Sequence, residues 1–182
     1  MCISLVSKFR LLRNLIFLLV FLSASSSKVA SVLRDALGPS SRTTPIAISE
    51  IMYKPVDRTD GKNLEFVEIC DSNPWFQDIG GYQLTCANMN YVFPSGTLIA
   101  SNSFIVIAAS PSDVTNVYGI TSIMGAYVGS LKKSETLQLL DERTNVLLTV
   151  PYSGTYPWPV AADGTGHSIV LANPTYGEGS PP

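Results

Sequence analysis

His167 is the chain's one histidine; Ser168 follows it directly and Asp163 stands four residues earlier. Serine, histidine and aspartate together suggest nucleophilic catalysis. A working triad, however, needs three side chains converging from fixed positions beside an oxyanion hole. Here all three fall within one turn and no G-x-S-x-G elbow is present. The simpler reading is a turn that leads into a strand. Asp57, Asp60, Gly61, Asn63 and Glu65 invite a calcium reading, because hard oxygen ligands in a glycine-containing loop suit that ion. Their spacing departs from an EF-hand loop, and a solvated polar loop accounts for them more simply. A lone histidine without clustered thiols does not supply a zinc ligand set. Glu65 and Glu68 look like a carboxylate pair for acid–base work, yet residues three apart on a strand point to opposite faces. Glu68 shares a face with Phe66 and Cys70; if buried, it must be paired or protonated. The expectation is therefore no catalytic residue, no metal and no cofactor, since nucleotide loops and redox motifs are also missing.

Cys70 and Cys86 are an even pair once a leader carrying Cys2 is removed, and in an exported chain they permit a disulfide. Closing that loop would contribute roughly 3 kcal/mol. A simple hairpin of their strands would put them at opposite ends of the ladder, which favours two buried thiols instead. Tyr152, Tyr156 and Trp158, with Pro157 and Pro159, form an aromatic–proline cluster. Such rings bind partner proteins or sugar faces when exposed. The favoured reading is that Trp158 plugs an open end of the fold and Tyr156 covers it. Trp75 and Phe76, in DSNPWFQD, are a second candidate contact patch. Trp75, Phe76, Tyr156 and Trp158 are thus the candidate binding residues.

Short strands must position these groups. Ile46–Tyr53, Leu64–Cys70, Tyr82–Cys86, Tyr91–Phe93, Phe104–Ala109, Tyr127–Leu131, Thr136–Leu140, Val146–Tyr152 and Ser168–Leu171 read as strands separated by turn signals. Tyr82, Leu84 and Cys86 alternate onto one face. Phe104–Ala109 is a continuous apolar run of strand length. A helical turn is expected over Ser112–Tyr118, capped by Ser112. Asp141–Asn145 reads as a hairpin loop. The pattern implies an all-β sandwich, or a small barrel, without internal repeats.

The N-terminus has the order of an export signal: Lys8, Arg10 and Arg13, an apolar run Leu15–Leu22, then small residues to Ser27. The run is shorter than the roughly 20 residues of a membrane span. An uncleaved anchor is the alternative, and membrane contact is expected only through that segment. Residues 1–27 are read as signal peptide, 28–45 as linker with a short VLRDAL patch, 46–174 as the sandwich and 175–182 as a C-terminal tail. The hydrophobic fraction of 46% against 14% charged residues supports a packed core. The formal net charge is −2 and three of twelve cations precede residue 14, which argues against a nucleic-acid partner.

Six pieces, in order, resemble the lamin tail domain family: ISEIMYKP (Ile48–Pro55), LEFVEI (Leu64–Ile69), IGGYQLT (Ile79–Thr85), YVFPSGTLIASNSFIVIA (Tyr91–Ala108), SETLQLLD (Ser134–Asp141) and WPVAADGTGHSIVL (Trp158–Leu171). Tyr82 stands where that family usually carries Trp. The resemblance implies an immunoglobulin-like β-sandwich. Nuclear lamins place a coiled-coil rod before this domain; no heptad stretch precedes Ile46 here, so filament function is not carried over. The expected role is a non-catalytic exported module (secreted, periplasmic or at the cell surface) that binds an unidentified protein or cell-surface partner or acts as a spacer. The alternatives are a carbohydrate-binding module recognising polysaccharide, and an accessory domain of a larger secreted enzyme.

Overall fold

The computed structural model describes residues 44–172. The expected signal peptide, most of the linker and the C-terminal tail lie outside them. Among the described residues there are twelve strands: β1 (Ile46–Met52), β2 (Phe66–Asp71), β3 (Gln77–Asp78), β4 (Gln83–Cys86), β5 (Met89–Val92), β6 (Leu98–Ile99), β7 (Phe104–Ala108), β8 (Ile123–Ala126), β9 (Val128–Gly129), β10 (Ser134–Leu140), β11 (Val146–Ser153) and β12 (Ile169–Val170). Helix α1 (Pro111–Tyr118) follows β7, and a 3-10 turn spans Val160–Ala162. Sheet 1 has the order β12-β1-β2-β7-β8, sheet 2 the order β11-β10-β4-β5-β9, and β3 and β6 form a separate two-stranded ribbon.

The two large sheets face each other across one core. Ile46, Ile48, Ile51, Val67, Ile69, Ile105 and Ile107 project from sheet 1 onto Leu84, Tyr91, Leu137, Leu139, Leu148 and Val150 of sheet 2. The sheets differ in what covers their outer faces. β10 and β11 alternate between buried and accessible positions, as expected with one face toward water. β1, β2 and β7 are buried along their whole length, so sheet 1 is covered on both faces. That is why FIVIA of β7 reads as an unbroken apolar run. Ile105 and Ile107 enter the sandwich core, while Val106 and Ala108 pack under α1 with Met52, Leu64, Phe66, Val114 and Ile120.

Several details depart from the sequence reading. Ser110 rather than Ser112 occupies the N-cap position, without a side-chain capping bond, and Pro111 stands in the first turn, where its missing N–H costs nothing. Gly119 ends it at φ 71°, a conformation suited to glycine, with its N–H on Thr115 O. β8 pairs with β7 in parallel, a connection that the apolar pattern of IMGA does not announce. β3 and β6 are two residues each, too short for periodicity to show. β1 carries an irregularity between Ile48 and Glu50, which shifts Ser49 out of the regular alternation.

Candidate functional site

The two candidate aromatic patches lie at opposite ends of the sandwich. β1 begins at Ile46 and ends at Met52. Ser72, just before Trp75 and Phe76, donates its N–H (3.1 Å) and its hydroxyl (2.8 Å) to Pro45 O at the start of β1. Gly164, in the loop after Trp158, donates its N–H to Lys54 O beyond the end of β1. The structure therefore does not join Trp75 and Phe76 to Tyr156 and Trp158 in one surface.

Trp75 and Phe76 are 62% and 65% exposed. Their loop is nonetheless well tied. Besides the two bonds from Ser72, Asn73 N–H donates to Asp71 Oδ1 (2.8 Å) and Ser101 hydroxyl donates to Asn73 O (3.0 Å). Residues 72–77, SNPWFQ, carry no charge. At the other end Trp158 is half-buried and packs against the main core, as a plug does. Tyr156 does not cover it. It is 89% exposed and precedes a cis peptide to Pro157.

The polar candidates are held in structural contacts. His167 Nδ1 bonds the Thr165 hydroxyl (2.9 Å), Ser168 hydroxyl donates to Glu50, and Asp163 is bridged by Lys54 (3.0 Å) and Lys133 (2.7 Å). The three therefore do not converge. Those two lysines hold the Asp163 carboxyl below the usual carboxylate range. In the acidic loop, Arg58 donates twice to Asp60 (2.8 and 2.6 Å), and that pairing lowers the Asp60 pKa to about 2. Glu65 instead turns inward, accepting from Tyr127 hydroxyl (3.1 Å) and Leu131 N–H (2.9 Å). Glu68 is wholly buried and accepts the Ser49 hydroxyl at 2.8 Å.

No disulfide joins Cys70 and Cys86. The physical reason is topological: Cys70, one residue before the end of β2 in sheet 1, points to that sheet's outer face, whereas Cys86 ends β4 in sheet 2 and packs toward the core. Cys86 thiol donates to Glu135 Oε2 (3.1 Å), and burial is the main cause that pushes its pKa up to about 11. Glu135 also accepts from Asn88 and from Lys132 N–H (3.0 Å). Burial opposes its ionisation, but these donors outweigh it and the carboxyl lies below its ordinary value. Sequence reasoning missed this knot because its members come from three separate strands and loops.

The chain that folds into this sandwich matches the lamin tail domain family model over residues 39–154. The chain belongs to the lamin tail domain family. The match runs from seven residues before β1 to one residue past β11. The family is immunoglobulin-like and generally non-catalytic. Tyr82, at the usual Trp position, is half-buried against the main core. No curated protein matches the chain.

Proposed function

We propose that this lamin tail domain protein is a non-catalytic, exported interaction module whose contact surface is the Trp75–Phe76 loop. The observation that carries the reading is two adjacent, largely exposed aromatic side chains on a loop already fixed by four hydrogen bonds. Large apolar side chains displayed this way favour a partner, and a pre-ordered loop loses little entropy on binding. The basic, apolar and small-residue order of the N-terminus supports an exported address. An interaction partner at the protein or cell surface fits a loop without charge better than a phosphate-rich one does.

The carbohydrate reading draws on the same exposed rings, but Trp75 and Tyr156 stand at opposite ends and do not form one platform. The test is retention of the protein on cell-envelope fractions and on insoluble polysaccharides. With Trp75→Ser and Phe76→Ser combined, retention on envelope should fall at least about tenfold while the melting curve stays unchanged. Undiminished retention would remove this loop from the function. Retention on polysaccharide lost with Tyr156→Ser would move the function to the opposite end.

A further inference from the structure

Trp75 and Phe76 lead directly into β3, which pairs only with β6 among the described residues. The register opposes Gln77 to Ile99 and Asp78 to Leu98. Opposed residues share a face of the ribbon, and residues two apart on one strand do too. Exposure sorts the two faces accordingly. Ile99 is buried and Gln77 half-buried, whereas Asp78 and Leu98 are exposed, as are Phe76 and Ala100 two residues from them. Leu98, 56% exposed, lies diagonally across from Phe76, within reach of an aromatic side chain. It adds a third large apolar group to the end of the molecule that displays Trp75 and Phe76.

The same register leaves backbone groups open. Ile79 N–H donates to Thr97 O (2.9 Å). Bonded pairs alternate with unbonded ones in an antiparallel ladder, so Asp78 and Leu98 turn their N–H and C=O groups away from each other. On the β3 side that edge carries no further strand, and no backbone bond reaches Asp78 N–H or C=O among the described residues. An exposed edge of this kind is a template for another strand. Charge narrows what that strand carries. Asp78 is the one charged residue between Ser72 and Ser103. Its Oδ1 accepts Gly80 N–H (2.8 Å), and no lysine or arginine pairs with it among the described residues.

We propose, as an inference that rests on the Trp75–Phe76 reading above, that the open β3 edge accepts an extended peptide segment of a protein partner as an added strand. A Lys or Arg of that segment stands against Asp78, and a large apolar residue two positions away stands against Phe76. The spacing follows from the period of a strand, whose every second side chain falls on one face. Hydrogen bonds to Asp78 N–H and C=O fix the register, and the two side-chain contacts choose the sequence. Trp75, Phe76 and Leu98 together offer on the order of a few hundred Å². A stable protein–protein interface buries roughly 800 Å² on each partner. The surface is therefore sized for one segment rather than for a second copy of the chain. A polyanion finds no cation on residues 72–103.

The test pans random seven-residue peptides displayed on phage against the full chain. The informative peptides are those retained on the unmodified protein and lost on the combined Trp75→Ser, Phe76→Ser variant. Among them Lys or Arg should recur two positions from a large apolar residue. Asp78→Lys should weaken these peptides at least about tenfold and select Asp or Glu at the cation's position. If Asp78→Lys does not fold, Asp78→Asn keeps an acceptor for Gly80 N–H and should abolish the preference for a cation. The best-enriched peptide should also slow exchange of the Asp78 amide at least about tenfold. Peptides without a cation at that spacing, or an Asp78 amide that exchanges as fast in the complex as alone, overturn strand addition. So does the absence of any peptide that depends on Trp75 and Phe76. Envelope retention separates the two failures. Retention that falls in the Trp75→Ser, Phe76→Ser variant while the peptides fail keeps the Trp75–Phe76 contact and removes only the peptide strand; undiminished retention removes both.

Discussion

Trp158 and Trp75 are the chain's two tryptophans and do opposite things. Trp158 packs on the core from a closing loop. Its replacement by alanine should cost about 2–4 kcal/mol, below the range for a fully buried ring because one side meets water. Trp75→Ala should change stability by less than about 0.5 kcal/mol. Urea denaturation of the two variants checks both. Tyr53 offers a second residue-scale test. Its ring stacks on Tyr152 with centroids 5.5 Å apart, but its buried hydroxyl has no hydrogen-bond partner among the described residues. Tyr53→Phe should therefore leave stability unchanged or raise it by about 1 kcal/mol, because an unsatisfied buried polar atom is removed. Glu135 has a pKa held below its unfolded value. Its contribution is therefore present above the unfolded pKa and lost as pH falls through the folded one. Glu135→Gln should flatten the fall of stability on the acid side of the ordinary carboxylate range, with little change in the shape of the curve near neutrality. At this scale the sequence showed which groups were candidates, but not their partners. Neither the Cys86–Glu135–Asn88 knot nor the Asp163 bridge to Lys54 and Lys133 is visible in spacing, because each joins residues dozens of positions apart.

Among the elements, long alternating or apolar runs were legible and short or parallel ones were not. β4, β10 and β11 follow from alternation, and β1, β2 and β7 from apolar runs of strand length bounded by turn signals. β8 was missed because it pairs in parallel with β7, and β3 and β6 are shorter than one period of any pattern. The unbroken apolar run of β7 has two causes that the pattern does not separate: Ile105 and Ile107 enter the sandwich core, and Val106 and Ala108 pack under α1 on the outer face. β9 exposes a different constraint. Gly129 has φ 95°, and a Cβ there would stand 1.9 Å from Asn88 O. The obstacle is backbone, so it cannot swing away. Gly129→Ala should destabilise by more than about 1 kcal/mol and loosen the β5–β9 pairing. Amide exchange at Met89 and Asn90, the partners of Gly129 and Val128, reads that loosening directly.

For the whole molecule, the sandwich provides a rigid body with two ends. One end is closed by Trp158 and the salt-bridged Asp163 loop; the other displays Trp75 and Phe76 beside the start of β1. The family resemblance in six ordered motifs carried the fold correctly, because those motifs mark strand starts and tight turns whose geometry the fold requires. Which aromatic faces solvent could not be read the same way, since Tyr156 and Trp158 are two residues apart and differ entirely in burial. The central claim is that contact occurs through the Trp75–Phe76 end. The most direct measurement places a photo-cross-linking amino acid at position 76, and separately at position 156, in the protein made by its own cells. Adducts to another macromolecule should form from position 76 and be absent or minor from position 156. Adducts from position 156 alone, or from both positions equally, would contradict the account.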